Sequence, residues 1–128
     1  MQQSNIPEGF YFLEGLKMSE IQLQAKIFQY YWNTQPKTRG LIFHVPNGGK
    51  RSMIEATQLK ASGVIPGIPD LMVLNDGKAY GIELKTEIGK LRPEQIKIHA
   101  IWIENNIPVF LCRSFDECCK VIDAIFGL

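Results

Sequence analysis

The sequence predicts a single α/β domain, a mixed sheet flanked by helices, and three observations carry that expectation. Segments of helical and strand period alternate along the chain instead of falling into separate blocks. Between two β-rich runs stands Asn75-Asp76-Gly77-Lys78, a strong hairpin signal. The chain has 128 residues, 45% hydrophobic and 21% charged, and a chain of this size buries roughly two thirds of its unfolded surface around one core without disulfide or metal staples. Such a composition excludes a disordered tail, a fibrous repeat and a coiled coil.

Each element has its own signal. Met1 to Lys17 keeps no period and carries Pro7, Gly9 and Gly15, so residues 1–18 read as an N-terminal arm laid on the surface by Phe10, Tyr11, Phe12 and Leu13. One domain then spans 19–128. Ser19-Glu20-Ile21-Gln22 has the form of a capping box, and Ile21, Ala25, Phe28 and Trp32 recur at helical spacing until Asn33 and Pro36. That predicts a first helix from about Ser19 to Trp32, packed through this stripe. Leu41 to Val45 reads as a strand ending at Pro46-Asn47-Gly48-Gly49. A weaker pattern of Met53, Ala56 and Leu59 predicts an added helix closed by Gly63 as its C′ glycine. Val64 to Pro69 is a stiff connector that no central strand would tolerate. Leu71–Leu74 and Ala79–Lys85 are the hairpin strands. Pro93 suits the first turn of a helix reaching Asn105 or Asn106, with Ile96, Ala100 and Ile103 on one face. Pro108 to Cys112 is a further strand, and Ser114-Phe115-Asp116-Glu117 opens a last helix through Ile125.

The three cysteines, Cys112, Cys118 and Cys119, lack the paired spacing of a zinc site with His44 and His99, and read as small buried apolar residues. The opening residues have neither the basic nor the apolar region of a secretory leader, and no apolar run is long enough for a membrane span. The expected location is intracellular, cytoplasmic and reducing.

Chemistry enters through the hairpin register. A two-residue turn at Asp76-Gly77 pairs Asn75 with Lys78, so Leu74 faces Ala79, Met72 faces Gly81 and Asp70 faces Glu83. At ~5 Å and an effective dielectric of ~20, two opposed carboxylates repel by roughly 3 kcal/mol, which a shared proton or a bound cation must offset. A hard divalent ion on oxygen ligands is the more useful answer. Lys85, two residues past Glu83, falls on the same face. Gly81 is expected to leave open space beside it. Glu20 and Gln24, one helical turn apart, flank the first helix's apolar stripe and can reach the site if that helix packs on the hairpin.

Pro69-Asp70 followed by Glu83-x-Lys85 after a hairpin, in αβββαβ order, resembles the PD-(D/E)xK nuclease superfamily with its restriction-endonuclease-like core. More closely, Glu20-x-x-x-Gln24, His44-Val-Pro-Asn-Gly-Gly, Gly67-Ile-Pro-Asp-Leu71, Glu83-Leu-Lys85 and Leu91-x-Pro-x-Gln95 are together similar to the virus-type replication-repair nuclease domain, VRR-NUC, of the stand-alone phage or bacterial type. Arg92 departs from the pattern, standing where a small capping residue is usual.

The resemblance implies Mg²⁺- or Mn²⁺-dependent endonuclease hydrolysis of DNA phosphodiesters. It implies Asp70, Glu83, Glu20 and the backbone carbonyl of Leu84 as metal ligands and Lys85 as the group orienting water or stabilising the transition state. Gln95 would hold the lysine or the phosphate, Gln24 would stand behind the ligands, and His44 would touch substrate. It further implies a homodimer acting on branched DNA, a four-way junction or a flap. A non-catalytic DNA-binding module that keeps the fold is the alternative, and a plain α/β interaction domain would leave the opposed carboxylates unexplained.

The formal net charge of +1 hides an asymmetry. Between Lys37 and Lys60 stand Lys37, Arg39, Lys50, Arg51 and Lys60 against Glu55 alone, whereas beyond Ile98 Arg113 and Lys120 face Glu104, Asp116, Glu117 and Asp123. Lys50 and Arg51 follow the Asn47-Gly48-Gly49 loop, whose backbone amides can approach a phosphate, and Lys90, Arg92 and Lys97 flank the other side. Nothing resembles base readout, so contacts to the nucleic-acid backbone are expected.

Overall fold

A computed structural model describes residues 18–46 and 52–128. Residues 1–17 of the expected arm over 1–18, and the expected phosphate contacts Asn47, Lys50 and Arg51, lie outside the described residues. Helix α1 covers Glu20–Thr34, β1 Ile42–His44, α2 Met53–Ala61, β2 Leu71–Asn75, β3 Lys78–Leu84, α3 Pro93–Glu104, β4 Val109–Cys112 and α4 Phe115–Phe126, with a short 3₁₀ turn at Pro36–Thr38. The fold is thus the mixed α/β architecture that the sequence predicts.

The described strands form one sheet in the order β1-β2-β3-β4, in which β1-β2 and β2-β3 are antiparallel and β3-β4 is parallel across the α3 crossover. Asp76 and Gly77 both take positive φ, 51° and 73°, as a type I′ turn requires. The register follows: Asn75 pairs with Lys78, Met72 with Gly81 and Leu71 with Ile82. Alternation then sorts the hairpin. Leu71, Val73, Ile82 and Leu84 are buried in one core with Leu23, Ile27 and Tyr31 of α1 and Cys118 and Ile122 of α4. Met72, Gly81 and Glu83 take the opposite face, against α3.

The capping box at Ser19 forms in both directions, with Ser19 N–H donating to Gln22 Oε1 at 3.0 Å and Gln22 N–H to Ser19 Oγ at 3.3 Å. The buried stripe of α1, however, is Leu23, Ile27 and Tyr31, and the expected stripe is displaced outward: Ile21 is 65% and Trp32 44% exposed. Tyr31 decides the rotation. Its ring fills the core while its hydroxyl donates to Asp123 Oδ1 at 2.7 Å and Cys119 O at 3.1 Å on α4, so burying it leaves no polar atom unpaired.

Helix α2 forms without a buried face, and Met53 and Ile54 stay exposed, so the Met53/Ala56/Leu59 pattern is not a packing stripe. Its ends explain its existence. Ser52 Oγ accepts from Glu55 N–H at 3.1 Å, and Gly63, φ +106°, follows the C-cap. Helix α3 begins at Pro93 as predicted, but Ile96 and Ile103 point to solvent while Gln95 and His99 are buried. Among the described residues no helix is long and apolar enough to cross a membrane.

Candidate active site

The connector before β2 sets Asp70. Gly67 has φ +94°, and a Cβ there would overlap the Glu94 carbonyl, so the chain presses against the first turn of α3 in a way only glycine allows. Pro69 is fully buried, and the next residue, Asp70, extends the Leu71–Ile82 register by one step to lie opposite Glu83. Its Oδ2 accepts the Leu84 N–H at 2.7 Å. Its carbonyl accepts from His44 Nδ1 at 2.6 Å, which seats the exposed His44 ring at the end of β1 beside the pair.

Glu83 is 1% exposed. Gln95 Nε2 donates to its Oε2 at 3.2 Å, and His99 Nε2 lies 2.9 Å from its Oε1. Gln95 Oε1 meanwhile accepts from Arg92 N–H at 2.9 Å, which ties the amide to the start of α3. Gln95 therefore holds Glu83, and neither Lys85 nor an open phosphate position as expected, because a buried carboxylate must find donors on whatever packs over it. The same demand explains why α3 turns its polar side inward. The space at Gly81 is likewise closed, for a Cβ there would meet Pro69 Cγ at 2.8 Å and the Trp102 ring at 3.0 Å.

Burial, then the hydrogen bond and negative charge of Asp70, push the Glu83 carboxyl up to about 9, with Lys85 pulling the other way. Near neutral pH Glu83 therefore keeps its proton, which relieves the repulsion that the register imposes. Burial also holds the His99 imidazole below its ordinary value.

Lys85 is 4% exposed and its Nζ stands 3.9 Å from Glu20 Oε1. The first helix packs on the far face of the hairpin, yet its N-terminal turn brings Glu20 round the end of β3; Gln24 follows one turn on, half-buried. Beyond Lys85 the chain is clamped by Arg113, whose Nη1 donates to the carbonyls of Thr86 at 2.8 Å and Gly89 at 2.6 Å. Lys90 is exposed in this segment, and Arg92, also exposed, pairs with Glu94 at 3.2 Å. Sequence alone assigned neither His99 nor Arg113 a place at this site. His99 had a signal, standing four residues after Gln95 on the same helical face.

Among the described residues, no three His, Cys, Asp or Glu side chains gather into a ready cage. The donor set still fits a hard ion, because Mg²⁺ is ordinarily held by one or two carboxylates with water and phosphate oxygens completing the shell. Asp70 lies opposite Glu83 in the hairpin register, and a cation bound there would take the place of the proton that burial keeps on Glu83.

Comparison with known proteins agrees with this frame. The model of the VRR-NUC domain matches residues 18–116. A solved structure described as "VRR_NUC domain protein" is similar in fold, with a TM-score of 0.72 at 20% identity over 87% of this chain and 90% of that one. No curated protein matches. A family match that runs through every element framing the Asp70–Glu83 pair places the chain in the VRR-NUC domain family, whose nuclease-type modules act on DNA.

Proposed function

We propose that the chain is a Mg²⁺- or Mn²⁺-dependent endonuclease that hydrolyses phosphodiester bonds in DNA, with a four-way junction or a flap as its preferred substrate. The observation that carries this reading is the Asp70–Glu83 pair. Two carboxylates stand opposite each other in the hairpin register, one of them 1% exposed, near a lysine 4% exposed, an arrangement that opposes folding and is characteristic of sites that use such charges.

Asp70, Glu83 and the backbone carbonyl of Leu84 would hold the ion, with Glu20 as a further carboxylate and Gln24 behind it. The bound ion would polarise the scissile phosphate and lower the pKa of a bound water. Lys85, desolvated at the end of β3, orients the attacking water or stabilises charge building on the phosphoryl oxygens. Gln95 acts through Glu83. His44, Lys90 and Arg92, with Asn47, Lys50 and Arg51, are assigned to substrate contact, chiefly with phosphates. A homodimer would bring two such centres to one branched substrate.

Cleavage of a labelled four-way junction in Mn²⁺ tests the reading. Asp70→Ala and Glu83→Ala should each lower the rate by roughly 10²-fold or more. Binding of the junction with no cleavage under either ion would instead identify a DNA-binding module that keeps the fold.

A further inference from the structure

Resting on the metal-centre reading above, we infer that His99 is a positioning residue that fixes the Glu83 carboxylate for the ion. Glu83 ends in a torsion that is broad and nearly two-fold, so a single hydrogen bond does not set the plane of its carboxylate. Gln95 supplies one contact, to Oε2 at 3.2 Å. His99 supplies the second and shorter one, to Oε1 at 2.9 Å, and the two together address both oxygens from one helix face. A carboxylate has about four acceptor directions. With one per oxygen taken by α3, others are left for a cation held jointly with Asp70.

The packing of α3 shows how much is given up for these two contacts. Ile96, Ile101 and Ile103 are 55%, 45% and 56% exposed, while the inward positions go to Gln95 and His99. Nearer its C-terminal end the helix is seated by Trp102, whose ring meets the bare backbone of Gly81. His99 thus sits on a helix whose distance from the sheet is fixed between a proline-started first turn and an aromatic contact. A histidine whose purpose was to fill volume would need no hydrogen-bond match to a carboxylate. An orienting partner of a metal ligand does need one, and loss of such a partner commonly lowers metal affinity roughly 10- to 100-fold.

Calorimetric titration with Mn²⁺ separates these roles, with folding checked by circular dichroism. His99→Phe keeps a ring but removes the hydrogen-bonding nitrogen, His99→Leu repeats the deletion with a different shape, and His99→Gln restores a terminal amide. Both apolar variants should bind Mn²⁺ at least roughly 10-fold more weakly than the parent, with His99→Gln within about threefold. Junction cleavage at saturating DNA should follow the same order. A folded apolar variant that binds Mn²⁺ as tightly as the parent would overturn the inference, as would a His99→Gln variant as weak as His99→Phe. If the parent binds no Mn²⁺, or binds it equally after Asp70→Ala, the metal-centre reading itself falls and this inference with it.

Discussion

Replacing Glu83 with Gln isolates the cost of the buried carboxylate pair. A carboxyl held above its unfolded value keeps its proton in the folded chain when the unfolded chain has already released it, so stability is greatest in acid and falls as pH rises, until the folded carboxyl itself ionises at about 9. One proton of difference is worth about 1.4 kcal/mol per pH unit. Other shifted groups define the window. His99 is lowered, so its contribution rises with pH and is complete above about 6.5. The raised thiols of Cys118 and Cys119 act in the same direction as Glu83, but only where an unfolded thiol ionises, above about 8.5. The Cys112 thiol, lowered by its hydrogen bond to Cys118, acts the opposite way as pH approaches that value, and does so equally in parent and variant. Between these limits the metal-free parent should lose roughly 3 kcal/mol over two pH units, a Tm decrease of roughly 10 °C for a domain of this size. The amide that Glu83→Gln introduces keeps the shape of the side chain and does not titrate. Thermal denaturation in chelator across this window should therefore give a falling curve for the parent and a nearly flat one for Glu83→Gln. Parallel curves would refute a proton held on Glu83.

Three further outcomes follow from the same geometry. If a divalent ion displaces the proton held by Glu83, Mn²⁺ affinity in the same window should tighten by about tenfold per pH unit, and calorimetry in buffers of different ionisation enthalpy should record one proton released. Lys85→Met should leave junction binding within about threefold yet lower the cleavage rate by roughly 10²-fold or more, separable in a gel-shift and a single-turnover assay. Tyr31→Phe removes the hydroxyl shared by Asp123 and Cys119 and should lower unfolding free energy by about 1–2 kcal/mol in urea titration, with catalytic rate unchanged.

The hairpin was legible because its register is local: a turn signal and a period of two place Asp70 against Glu83 by counting, and Lys85 on the same face. Helix faces were less legible, since α1 offers two apolar series at helical spacing and the choice depends on Cys119 and Asp123, 88 and 92 positions away, receiving the Tyr31 hydroxyl. The orientation of α3 is set by a buried carboxylate on another element, so its isoleucines gave the wrong side. Gly81 misled for the same reason, because whether a glycine leaves a void depends on what arrives from elsewhere, here Pro69 and Trp102.

The most direct measurement of whether Asp70, Glu83 and Lys85 form a phosphodiesterase centre is cleavage of end-labelled four-way junction, flap, single-stranded and linear duplex DNA by the parent and by Asp70→Ala, in Mg²⁺, in Mn²⁺ and in chelator. The expected result is ion-dependent internal cleavage, favouring the branched substrates, that Asp70→Ala abolishes; cleavage that persists in Asp70→Ala, or none by the parent with either ion, would contradict it.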